Sequence, residues 1–162
     1  MKKLIATIVL GVVSLSASAE TWFNASLTPD IAVQSRDTQI NGLTLSIYGE
    51  NPQTSLALGF VNGSTGESAG AQFGLFNWGK GDFTGLQASF VNFCDGKLVG
   101  VQSGFFNKCG TGVGVQLGTV NWAKSGEGLV QIGFANIIED NEWFKNFPDK
   151  LATGFVFVNW GF

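Results

Sequence analysis

Gly85 to Asn92 reads GLQASFVN, Gly100 to Asn107 reads GVQSGFFN, and Gly114 to Asn121 reads GVQLGTVN. The same unit recurs on either side as SLALGFVN from Ser55, GAQFGLFN from Gly70 and LVQIGFAN from Leu129, and Thr153 to Asn159 is the related TGFVFVN. The closing asparagines of the six full copies stand at 62, 77, 92, 107, 121 and 136, so the period is 15 residues with one step of 14. Such self-similarity marks a repeat architecture. Gly42 to Tyr48, GLTLSIY, resembles a degenerate earlier copy.

Within a unit apolar residues return at every second position, which is the period of a strand rather than a helix. Leu86, Ala88, Phe90 and Asn92 share one parity, and Gly85, Gln87, Ser89, Val91 and Phe93 the other. One face is therefore mostly large and apolar. The other carries Gly and Gln and ends in larger residues.

Between units lie Gly79-Lys80-Gly81-Asp82, Cys94-Asp95-Gly96-Lys97, Cys109-Gly110-Thr111 and Lys124-Ser125-Gly126-Glu127. These are polar, glycine-centred turns, and Asp95-Gly96 is a strong hairpin dipeptide. A hairpin there sets Phe93 against Leu98, Phe90 against Val101 and Gln87 against Gly104, pairings of the kind that stabilise a sheet. The 14-residue step then needs an odd loop, which Cys109-Gly110-Thr111 supplies. A coil, by contrast, needs a second apolar strand to close its core, and none is expected because the residues between copies are mainly Gly, Lys, Asp, Ser and Glu. The fold expected is all-β, an antiparallel meander of about eight strands, counted from residue 43, closing into a small β-barrel. The alternative is a parallel β-solenoid, one coil per repeat.

Cys94 and Cys109 distinguish the two. In a solenoid they stack about 5 Å apart and are candidates for a disulfide. In a meander they lie at opposite ends of one strand, about 30 Å apart.

The N-terminus reads as a secretion signal over residues 1–19. Lys2 and Lys3 precede an apolar run from Leu4 to Val13, and Ala17-Ser18-Ala19 offers a small-x-small cleavage site before Glu20. The run is too short to span a bilayer as a helix. An N-terminal segment, 20–40, then leads into the repeat domain, 41–162. Loss of two lysines takes the formal net charge from −3 to −5. With scattered lysines this argues against nucleic acid as a partner, since phosphate contacts need clustered Lys or Arg. Only 13% of residues are charged while Gly numbers 23 and Phe 15, a composition suited to membrane β-barrels as well as to other tight-turned sheets.

Histidine is absent, which removes the usual general base and the commonest metal ligand, and no nucleophile–base pairing of the Ser-His or Cys-His kind can form. No catalytic residues, metal ligands or cofactor are expected. Glu139, Asp140 and Glu142 form an acidic group, but their spacing matches no calcium loop. Trp143, Phe144 and Phe147 follow, so the long loop from Glu139 is the candidate contact surface.

The tandem G-[LV]-Q-x-G-x-[VF]-N units, opened by NGLTLSIYGEN and closed by FVNWGF, resemble a family of bacterial surface-repeat proteins over roughly residues 41–162. Ser55, Ala57 and Leu129 depart from the pattern, as does the long insertion before the last strand. The resemblance implies an exported protein of the outer membrane or cell surface and implies no reaction. The terminal FVFVNWGF also resembles the aromatic-ended last strand of outer-membrane barrels. The expected role is thus an outer-membrane or cell-surface barrel with a structural or contact function and membrane lipid as its partner. The alternative is a soluble secreted β-repeat module that binds a glycan or protein ligand.

Overall fold

The structure is a computed structural model and describes residues 21–141 and 154–161. The signal reading of residues 1–19 lies outside them. The described chain is all strand and turn: β1 Thr21–Thr28, β2 Ile31–Ala32, β3 Ile40–Glu50, β4 Thr54–Ser64, β5 Ser68–Phe73, β6 Phe76–Gly79, β7 Phe83–Ala88, β8 Val91–Ile138 and β9 Gly154–Gly161.

The coils run parallel, and the antiparallel barrel is corrected to a β-solenoid of about 6 turns. β1 pairs with β3, β3 with β4, β4 with β5 and β6, β5 with β7, and β6 and β7 with β8, all parallel and nearly all in register. Asn77 lies beside Asn92, Gly85 beside Gly100 and Gln87 beside Gln102. The expected hairpin at Asp95-Gly96 does not form; the chain bends there and continues in the same rotational sense. Within the segment 20–40, β1 pairs in parallel with β3 and supplies a rung of the sheet. Antiparallel pairing occurs at the two ends, where β2 covers β1 and β9 covers the last coil from Leu129 to Ile137. Among the described pairings, these two strands shield the sheet edges that stacking leaves open.

The missing second strand of each coil lies inside the repeat itself. The unit bends near its fifth residue, so Phe83–Ala88 forms one side and Val91–Cys94 the other. Its interior needs few hydrophobes because amides fill it. Asn62, Asn77, Asn92, Asn107, Asn121 and Asn136 are fully buried, and each of the first five donates Nδ2 to the Oδ1 of the next at 2.8–3.0 Å. A second ladder runs through Gln72, Gln87, Gln102, Gln116 and Gln131 at 2.7–2.9 Å, each later Gln donating back to the earlier one. Spare amide hydrogens reach backbone carbonyls, as from Gln102 to Lys108 and from Asn92 to Ser103. Burying polar groups is tolerable only when they are bonded in this way. A thin apolar core of Phe83, Leu98, Cys94, Cys109, Ala123, Leu129 and Ile138 completes the interior.

The first Gly of the repeat is fixed by close approach. Gly85 and Gly100 have φ of 133° and 138°, and a Cβ on Gly100 would collide with the carbonyl oxygen of Gly85 on the coil before. At the departure Leu129, the side chain reaches over Gly112 and fills the space that this glycine leaves.

Candidate docking surface

Interior residues alternate with outward ones, so each coil also builds columns on its outside. The ridge at the bend consists of Leu27, Ile47, Phe60, Leu75, Phe90, Phe105, Thr119 and Phe134. Backbone bonds from Leu75 N to Phe60 O and from Phe105 N to Phe90 O, both 2.9 Å, hold its members on consecutive rungs. Beside it runs a column of Ala25, Leu45, Leu58, Phe73, Ala88, Ser103, Leu117 and Ile132. A third carries Phe23, Leu43, Leu56, Ala71, Leu86, Val101, Val115 and Val130. Ser103 and Thr119 are the polar members, and none is charged.

This flank is open. Phe60 is 59% exposed, Phe90 56%, Phe105 50% and Phe134 69%. Phe90 and Phe105 stack with ring centroids 5.0 Å apart and planes 10° from parallel. Seven rung steps from Leu27 to Phe134 at about 4.8 Å make the flank about 34 Å long, and three alternate positions make it about 14 Å wide. That is on the order of 500 Å² in projection, in the range of the largest apolar patch of a monomer, which is often a functional surface. At its first end the β1–β2 corner adds a groove of about 370 Å³ lined by Leu27, Ile31, Val33, Leu45 and Ile47. At the other end β9 continues it, with Val158 beside Ile132 and Trp160 beside Val130.

The opposite flank is mixed. Trp78, Phe93, Lys108 and Trp122 form a column, with the Lys108 ammonium 5.8 Å from the Phe93 ring and 5.2 Å from that of Trp122. Lys80, Asp95, Lys124 and Glu139 border it. Glu139, part of the expected contact loop, sits at the bend after Ile138 and accepts a hydrogen bond from Trp122 Nε1 at 2.9 Å. Asp140 is exposed beside it and bonds through its backbone to Lys124 O. Glu142, Trp143, Phe144 and Phe147 lie outside the described residues.

Cys94 and Cys109 are brought onto neighbouring coils, as a solenoid requires, and both are buried free thiols. The two thiols are not bonded to each other in this structure. Burial pushes Cys94 up to about 11 and Cys109 up to about 12, so neither is a ready thiolate.

Reading the sequence for loops missed the apolar flank. Its signal was present in the large-residue parity of every copy. No helix of the described chain is long and apolar enough to cross a membrane. No family model, curated protein or solved structure matches the chain.

Proposed function

We propose that this is an exported, non-catalytic β-repeat module that binds a protein ligand through its apolar flank. The outer-membrane barrel is set aside because the strands run parallel around a filled interior rather than closing one antiparallel sheet. The observation that carries the proposal is the uncharged, exposed ridge from Leu27 to Phe134, held flat by amide ladders. A rigid sheet loses little conformational freedom on binding, so apolar burial is converted to affinity with small ordering losses.

The test is site-specific photocrosslinking in the producing cells. A photoreactive residue at Phe134 is expected to capture protein, and one at Lys124 on the other flank is not. Absence of any adduct at Phe134, or equal yield at both positions, overturns the proposal.

A glycan ligand has one observation in its favour, the Trp78–Phe93–Trp122 column, whose rings could stack on sugar faces. Lys108 already occupies the space between Phe93 and Trp122, which makes it the weaker reading. Quenching of Trp fluorescence by oligosaccharides, lost in Trp122→Ala, would bring it forward.

A further inference from the structure

The partner that fits the apolar flank most closely is a second copy of the same chain. We infer that the protein forms a two-fold dimer in which the flanks pack face to face, with the solenoid axes parallel; this rests on the flank being the contact surface proposed above.

The relief of the flank points to this arrangement. Ala88 and Ser103 make a hollow in the second column, between the larger Phe73 and Leu117. Beside it on the ridge stands the stacked pair Phe90 and Phe105. A two-fold axis parallel to the solenoid axis sets the ridge of each copy over the second column of the other. On the same rungs, the Phe90–Phe105 pair of each copy then enters the Ala88–Ser103 hollow of its mate. Such a contact is isologous and closes at two copies. The rung spacing of about 4.8 Å must match along the whole length for side chains to interdigitate, and a second copy meets that condition by identity.

Area and charge agree. The exposed Phe, Leu and Ile side chains of the ridge and the second column, the two that face the mate, each leave roughly 60–100 Å² outside, on the order of 900 Å² together, against about 800 Å² per partner in a standard interface. With no charge on the flank, two acidic chains meet there without direct repulsion. A bilayer surface is the less suitable occupant, because Lys80, Lys108 and Lys124 lie on the other flank, where they cannot meet lipid headgroups.

Sedimentation of the purified mature chain tests the inference. A dimer is expected at micromolar concentration. Ala88→Trp, which fills the hollow, and the pair Phe90→Ser with Phe105→Ser, which removes the knobs, are each expected to raise the dissociation constant at least tenfold. Lys124→Glu on the other flank is expected to leave it unchanged. Because all these positions are outward, an unchanged circular dichroism spectrum and melting profile separates lost association from lost folding. A photoreactive residue at Leu75 is expected to give a band of twice the chain mass. A monomer at 50 µM, a dimer indifferent to the flank substitutions, or a monomer that co-sediments with phosphatidylcholine vesicles overturns the inference. A monomeric chain that still captures a protein of different mass at Phe134 overturns self-association while leaving the contact surface standing.

Discussion

Gln116 donates its Nε2 to Gln102 Oε1 at 2.7 Å across the one step at which the repeat is a residue short. Asn107 bridges the same step to Asn121 at 2.8 Å. The missing residue is therefore absorbed in the turn around Cys109 to Gly112, and the interior keeps its register. The two ladders also run in opposite senses. Asparagine amides donate toward the C-terminal end and glutamine amides toward the N-terminal end, so their dipoles oppose along the axis. Two buried atoms without a partner, Gln72 Nε2 and Gln131 Oε1, are the open ends of the glutamine ladder.

Position within the ladder is expected to set the cost of breaking it. Gln102→Leu strands Gln87 Oε1 and the Lys108 carbonyl and takes away the short acceptor of Gln116, for a loss of about 2–4 kcal/mol. Gln131→Leu removes a residue whose Oε1 is already unpaired and is expected to lose about 1–2 kcal/mol. Urea denaturation of the two variants decides; equal losses would contradict the ladder account.

Restoring the repeat consensus at Ala57 is expected to destabilise. Gln53 is buried there and donates to Gly63 O at 3.2 Å, the carbonyl equivalent to the one that Gln102 uses at Lys108. The slot of the missing ladder glutamine is thus already filled. Ala57→Gln overpacks it, at about 1–3 kcal/mol. A rise in melting temperature would show that the space is empty.

Gly100→Ala meets both a left-handed backbone and the Gly85 carbonyl, so a loss above about 3 kcal/mol or failure to fold is expected. Gly66 also has positive φ, 75°, but nothing within 4 Å of its would-be Cβ. Gly66→Asn is expected to lose less than about 1 kcal/mol, since Asn tolerates this conformation. Thermal melts of the pair separate steric collision from backbone strain.

The thiols of Cys94 and Cys109 are expected to remain reduced and to react slowly with a thiol reagent in native protein. Their folded values lie above the unfolded value near 9 because burial disfavours the thiolate. Above pH 9 the unfolded chain gives up these protons before the folded one does. The stability they contribute is therefore complete below pH 9 and is lost as pH rises through about 11 to 12, by roughly 1.4 kcal/mol per pH unit per thiol. Denaturant titrations at pH 8 and pH 10.5 check this, with Cys94→Ala/Cys109→Ala as the control that flattens the difference. A native intramolecular disulfide found by mass spectrometry would contradict it.

The strand character of the units, their 15-residue period and the segregation of Gly and Gln from the large apolar residues were legible in the copies around Gly85 and Gly100. The direction of the strands was not, because a hairpin and a coil both ask for polar glycine turns such as Asp95-Gly96. Parity misled in one place. Gln87 and Asn92 are five residues apart and would oppose each other on a straight strand, yet both point inward because the chain bends between them. A stronger clue was available. Alternate copies of a meander run in opposite directions and gain nothing from an identical amide at each equivalent site. A stacked coil makes every Gln and Asn the partner of its own copy.

From its residues alone the chain determined a repeated strand unit with one face of amides and glycine and one of large hydrophobes. Those properties follow from local alternation and side-chain chemistry. Tertiary structure decided that the amide face is the interior and that the apolar face is left open on one flank. That choice depends on hydrogen bonds between residues 14 or 15 apart, which exist only once neighbouring coils lie in parallel register.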